Sequence, residues 1–177
     1  RQICVEHPGG IGLIALSAQP TSNPLRAMEI TDSVATILQH KVHASIQAVA
    51  PTTFVFDAIK LMADRNIGCV LVMDGGSLLG ILSERDYTRK VVLQGRSSKT
   101  TTVREIMTCD VICVTPKHGV EETLRIVTEN RVRHLPVKDG ERIIGLISIG
   151  DLVKWVINAQ RSALSQLEAY VAGGYPG

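Results

Sequence analysis

Two short patterns hold the side chains with the most obvious chemistry, Ser83-Glu-Arg-Asp86 and Ser148-Ile-Gly-Asp151, each three residues beyond a glycine, Gly80 or Gly145. A serine three residues before an acid at a helix start forms a capping box. Its hydroxyl takes the amide of the third helical residue and the carboxylate takes the amide of the serine. The same groups can instead grip a polar ligand, and the pattern alone leaves both readings open. Arg133 and His134 form an adjacent basic pair. The run Arg85, Arg89, Lys90, Arg96, Lys99 and Arg104 is either a solvated face or a set of phosphate contacts. Catalytic constellations are not evident. The histidines (His7, His40, His43, His118, His134) lack the H-E-x-x-H spacing, and His40-x-x-His43 has no clear third ligand. There is no G-x-S-x-G, no Walker A and no G-x-G-x-x-G. Ser83 has no general base placed beside it by the pattern. The expectation is a protein that is not an enzyme.

The elements that must position these residues repeat. Laying the stretch that starts at Pro51 over the one that starts at Pro116, without a gap, places Val55 on Val120, Val72 on Val137, Asp74 on Asp139, Gly75 on Gly140, Gly80 on Gly145, Ser83 on Ser148 and Asp86 on Asp151. With the prolines these eight identities exceed the roughly two or three expected from composition, and the apolar positions follow the same register. Each copy reads as a short strand (46–49, 111–114) and a helix with an apolar stripe (Val55, Ile59, Met62; Val120, Leu124, Val127). An apolar strand, an Asp-Gly hairpin turn, a second strand and a helix capped by the serine follow. The match is weakest at 40–45, where the first copy is about four residues longer. A unit of about 60 residues buries too little surface to be robust alone. The predicted fold is therefore α/β, of the α+β kind: two βαββα units packed with pseudo-two-fold symmetry, plus a C-terminal helix. The expected divisions are an extension at 1–28, repeats at 29–92 and 102–157, a polar linker at 93–101, and a C-terminal helix and tail at 158–177.

Composition narrows the function classes. Hydrophobic residues make up 45% and charged residues 20%, with aromatics at 3%, so the core must be aliphatic. A net charge of +2 and scarce stacking aromatics make nucleic-acid binding through the basic run the lesser reading. No apolar stretch approaches the roughly 20 residues that a membrane-spanning helix needs, and no membrane partner is expected. Ile11–Ala18 faintly resembles a signal-peptide core, but only Arg1 precedes it, with Glu6 between. Residues 1–28 are read as an extension. Cys4, Cys69, Cys109 and Cys113 have no C-x-x-C spacing and read as thiols of a reducing, cytoplasmic compartment.

Two βαββα copies ending in Gly80-Ile-Leu-Ser83-Glu-Arg-Asp86 and Gly145-Leu-Ile-Ser148-Ile-Gly-Asp151 resemble a pair of cystathionine-β-synthase (CBS) domains, a Bateman module. Val103-Arg-Glu-Ile-Met-Thr108 and Asn130-Arg-Val-Arg-His-Leu-Pro-Val137 add to the likeness, which covers about residues 30 to 157. It is similar above all to the small single-module CBS proteins of bacteria and plant organelles. The resemblance implies an adenosine ligand (AMP, ADP, ATP or NAD, with S-adenosylmethionine as an alternative) in clefts between the repeats. It also implies a homodimer, energy sensing, and signalling to an unidentified enzyme or transporter.

On that reading Asp86 and Asp151 accept the 2′ and 3′ hydroxyls of a ribose, and Ser83 and Ser148 reach ribose or phosphate. Arg133 and His134 would face phosphate in a second cleft with Ser148 and Asp151. Gly68 and Cys69 hold the matching first-copy positions without charge, unless Arg85 substitutes. The base would lie against Thr108, Asp110, Ile112 and Val132, or against Ser45, Gln47 and Ile67 in the first copy. The two sites are expected to be unequal, the second being stronger.

Overall fold

The computed structural model describes residues 32–41 and 46–172. The extension 1–28 and Ser45 lie outside the described residues. Helix α1 (Val34–His40) precedes strand β1 (Ala48–Val49), helix α2 (Val55–Arg65) and the hairpin β2 (Cys69–Asp74) and β3 (Ser77–Ser83). Helix α3 (Glu84–Tyr87) continues as a π-helical turn, Thr88–Val92. The second repeat brings α4 (Val103–Ile106), α5 (Val120–Glu129), the hairpin β4 (His134–Asp139) and β5 (Arg142–Ser148), and α6 (Ile149–Ala172).

Strand β1 runs parallel to β2, and β2 antiparallel to β3. The second repeat keeps this topology with its first strand reduced to a parallel bridge, Val114 to Val137. Both hairpins slip register one residue after their matched valines, at Val72/Met73 and Val137/Lys138. The β2–β3 turn is Gly75-Gly76, with φ of 53° and 87°. Such positive φ values match the right-handed twist of the paired strands. The expected βαββα repeats with a C-terminal helix are thus present. As the apolar pattern beyond Trp155 leads one to expect, the last helix of the second repeat runs on as one continuous α6, with no glycine or proline between Asp151 and Ala172.

Helices α1 and α4 are exchanged between the halves. Val34 and Ile37 of α1 are buried with Val120, Val127, Leu135, Ile147 and Leu152, which is the core of the second repeat. Val103 and Ile106 of α4 are buried with Val55, Met62, Val70 and Leu82, the core of the first. Matching backbone bonds clasp each helix. Val34 and Ala35 donate to His118 and Pro116 carbonyls; Val103 and Arg104 donate to Thr53 and Pro51 carbonyls. The acceptors keep the offset of the repeats, whereas the donors stand slightly further apart along the chain. The difference is the excess length of the first copy before its first strand. Gly80 and Gly145 make room for the exchanged segments. A Cβ on Gly80 would lie 2.8 Å from the Thr108 carbonyl oxygen, and one on Gly145 would lie 2.7 Å from Leu38 Cδ2.

Candidate functional site

Both Ser-x-x-Asp patterns form the capping box they predict. The Asp86 carboxylate accepts the Ser83 amide at 3.1 Å and its hydroxyl at 2.6 Å, and Asp86 N donates to Ser83 Oγ at 3.2 Å. Asp151 accepts the Ser148 amide at 2.8 Å and hydroxyl at 2.7 Å, with the return bond at 3.2 Å. Each box leaves lone pairs free on its carboxylate, and a lysine takes them up. Lys90 Nζ lies 2.8 Å from Asp86 Oδ1, which also accepts Thr108 Oγ1 at 3.1 Å. Lys41 Nζ lies 2.8 Å from Asp151 Oδ2 and donates to the Leu146 carbonyl at 2.9 Å. Burial alone would raise both carboxyls. For Asp86 the hydrogen bonds from Lys90 and Ser83 outweigh it, and for Asp151 those from Lys41 and Ser148, so both sit below the ordinary carboxylate range.

Two clefts among the described residues open beside these acids, and each joins one repeat's Ser-x-x-Asp turn to the other repeat's strand entry. The first, about 350 Å³, has Ser83, Arg85, Asp86, Arg89 and Thr108 on one wall and Arg131, Val132, Arg133 and His134 on the other. The second, about 410 Å³, sets Lys41, Leu146 and Ser148 against Arg65, Asn66, Ile67, Gly68 and Cys69, with Ile46 and Gln47 beside them. His134 and Gly68 line both. A Cβ on Gly68 would stand 3.5 Å from the His134 ring.

This partition corrects the expected grouping. Arg133, Val132 and Thr108 face Ser83 and Asp86, not Ser148 and Asp151. The pairing differs because the two halves meet face to face across a pseudo-two-fold axis. Each helix start therefore looks onto the other half's strand. Arg85 does line the first cleft, and its Nη1 donates to the Arg131 carbonyl at 3.1 Å. Asp110 is exposed, Ile112 packs against the second core, and neither lines these two clefts. His134, the other member of the expected phosphate-facing pair, lines both clefts. Burial lowers its pKa, Lys41 and Arg133 lower it further, and Asp151 opposes them only in part. The balance favours its uncharged form. Burial pushes the Cys69 thiol up to about 12, with Lys41 opposing and Glu84 adding to the rise.

Sequence reasoning places Lys90 only in the basic run and does not single out Lys41, Asn66 or Arg131. Lys90, four residues after Asp86, carries a helical i, i+4 signal. Lys41 carries none, since it reaches Asp151 only through the exchange of α1. Asn66, the C-cap of α2, and Arg131, the residue after the C-cap of α5, hold matched positions of the two repeats in the left-handed region, at φ 52° and 54°. An arginine there is unusual, and it adds a guanidinium to the first cleft.

Charge therefore differs sharply between the clefts. Arg85, Arg89, Arg131 and Arg133 surround the first, against Glu84 and an Asp86 already matched by Lys90. In the second, the Lys41 ammonium is engaged by Asp151 and Arg65 is the remaining guanidinium among its lining residues.

Exchanged βαββα repeats with a cleft at each half-to-half seam define a tandem ligand-binding module. The CBS domain model matches residues 34–93 and 103–158. The chain belongs to the CBS domain family, as a tandem pair of the non-catalytic, regulatory kind. It is 45% identical over 126 residues to the CBS domain-containing protein CBSX3, mitochondrial, of Arabidopsis thaliana, covering 68% of this chain and 61% of that one. It thus spans less than two thirds of that plant relative. A putative signal-transduction protein with CBS domains from Burkholderia ambifaria superposes with a TM-score of 0.70 at 55% identity, over 71% of this chain and 94% of that one. A more distant CBS domain pair, 22% identical with a TM-score of 0.62 over 71% and 95% of the chains, was solved in complex with 5′-methylthioadenosine and S-adenosyl-L-methionine. No described helix is long and apolar enough to cross a membrane.

Proposed function

We propose that the first cleft binds a phosphorylated adenosine nucleotide (AMP, ADP, ATP or NAD) and that its occupancy alters how the module meets a partner enzyme or transporter. Four arginines lining one seam beside the Asp86 carboxylate, two from each wall, carry this reading. Asp86 would exchange its Lys90 and Thr108 contacts for the ribose hydroxyls. Arg85, Arg89, Arg131 and Arg133 would neutralise phosphate, for which the planar guanidinium fork is suited. Ile81 and Val132 give the base apolar walls. The second cleft, poorer in cations, suits an adenosine compound with less phosphate. The complex of the distant CBS pair supports the sulfonium S-adenosylmethionine, or a thioether such as 5′-methylthioadenosine, there as a second reading.

Titration calorimetry with ATP, AMP and adenosine tests the assignment. A charged hydrogen bond contributes roughly 1.5–3 kcal/mol, so Arg133→Ala should weaken ATP by about tenfold or more and adenosine far less. Asp86→Asn should weaken all three at the same site, and Asp151→Asn should spare it. Equal loss of ATP and adenosine in Arg133→Ala would remove the guanidinium from the phosphate. Loss of ATP with Asp151→Asn rather than Asp86→Asn would overturn the partition of the clefts.

A further inference from the structure

Helix α6 is 24 residues long, and its two faces differ. Leu152 is fully buried, and Trp155 and Val156 pack against the second core. On another face stand Val153, Ile157, Leu164, Leu167 and Val171, exposed by 44, 43, 60, 47 and 80%. With Gln160 these positions follow one another at intervals of four, three, four, three and four. That 3.5-residue period is a coiled-coil seam, distinct from the broader stripe of a helix lying on a globular core. It runs about 27 Å at 1.5 Å per residue, and apolar side chains at heptad spacing are met by another helix of the same kind.

We infer that this seam pairs two copies of the chain through an antiparallel contact of their α6 helices. Charge and size choose both the occupant and the direction. In the antiparallel register Val153 of one copy meets Val171 of the other, Ile157 meets Leu167, and Gln160 meets Leu164. The flanking positions then put Lys154 opposite Glu168 twice per dimer. Ala163 meets Ala163 at the axis, where small residues let the helices approach. The Arg161 pair beside the axis is like-charged, and both side chains are exposed, free to turn to solvent. A parallel pair would stack Gln160 on Gln160 and leave Lys154 and Glu168 without facing partners. The same contact explains Tyr170 and Val171, 85% and 80% exposed at the helix end. They reach the module body of the second copy.

Sedimentation equilibrium of the full chain tests this. The parent protein should be a dimer at micromolar concentration. Leu164→Glu combined with Leu167→Glu should weaken the dimer by at least about a hundredfold, with melting and nucleotide binding of the module retained, since both residues are exposed. Under mild oxidation, Ala163→Cys should cross-link copies beyond the background of the parent chain's own cysteines, and Gln160→Cys should not. A monomeric parent would mean that a different protein covers the seam. A double variant that stays dimeric would place the interface elsewhere, and cross-linking at 160 instead of 163 would make the helices parallel. Each of these results overturns the inference.

Discussion

Replacing Arg131 by asparagine should make the protein more stable and a poorer binder of ATP. Arg131 follows the C-cap of α5 at φ 54°, and its pseudo-two-fold mate Asn66 caps α2 at φ 52°. The left-handed region costs a side-chain-bearing residue roughly 1–2 kcal/mol, less for asparagine, whose short amide can bond locally. Arg131→Asn should therefore recover about 0.5–1 kcal/mol, a rise in Tm of about 1–4 °C for a chain of this size. The same substitution removes one of four guanidiniums from the first cleft. At about 6 Å in a mostly aqueous setting one unit charge contributes about 1 kcal/mol, so ATP affinity should fall about fivefold. The loss should shrink at high salt, where exposed charges are screened. The bond from Arg85 to the residue 131 carbonyl survives, since it uses the backbone. Asn66→Arg is the reciprocal experiment. It should lower stability by a similar amount and improve phosphate binding in the second cleft, which Asn66 lines. Urea melts and calorimetry at low and high salt measure both effects. If Arg131→Asn destabilises the fold, the strain argument is wrong. If stability rises and ATP affinity holds, Arg131 has no part in the site.

Glycine replacement should separate the two exchanged segments. In Gly80→Ala the new methyl meets the Thr108 carbonyl at 2.8 Å, and that carbonyl is held by Ile81 N at 3.0 Å, so a cost of about 3 kcal/mol is expected. In Gly145→Ala it meets the rotatable end of Leu38 at 2.7 Å, for about 1 kcal/mol; equal losses in Tm would contradict the difference. Stability should also fall with acid in two stages. His134 has its pKa lowered from 6.5 in the folded state, so stability present above that value is lost below it as the unfolded chain takes up the proton more readily. Asp86 and Asp151, lowered from 3.8, remove a second portion below about pH 4. Melting curves from pH 7.5 down to about 3 resolve the stages, and a first stage that persists in His134→Gln would belong to another group.

What can be read from the sequence is what is local. The capping boxes depend on residues three apart, and the Asp74-Gly75 and Asp139-Gly140 turns join adjacent strands, so each is written within a few residues of chain. The apolar stripe of α2 likewise announces its own buried face. Partner choice is a different matter. Val34 and Ile37 show that α1 must be buried, but periodicity does not say against which repeat. Nothing near Lys41 points to Asp151, which lies beyond both hairpins in the chain. For the same reason the sequence alone groups Arg133 with the acid of its own repeat. The clue is present in the clasping segments, whose offset exceeds that of the repeats. Its meaning depends on knowing that α1 and α4 cross between the halves.

That crossing bears on how ligand could be felt beyond the clefts. A ligand shifts a conformational equilibrium only by the contacts it makes differently in the two states. At the first cleft the contacts at stake are those of Asp86 with Lys90 and Thr108. Lys90 Nζ also donates to the Ile106 carbonyl at 2.7 Å, the last residue of α4. At the second cleft they are those of Asp151 with Lys41, the C-cap of α1. Each acid is thus tied to one exchanged helix, α4 through Lys90 and α1 through Lys41, and each of those helices is buried in the core beside that acid. Trp155 extends the second tie outward, since its Nε1 donates to Asp32 at 2.9 Å and its ring meets His40 at 5.4 Å. A ligand that displaces Lys41 therefore acts on α1, and through Trp155 on α6. His134 lines both clefts, and any coupling carried through it must be the same in both directions.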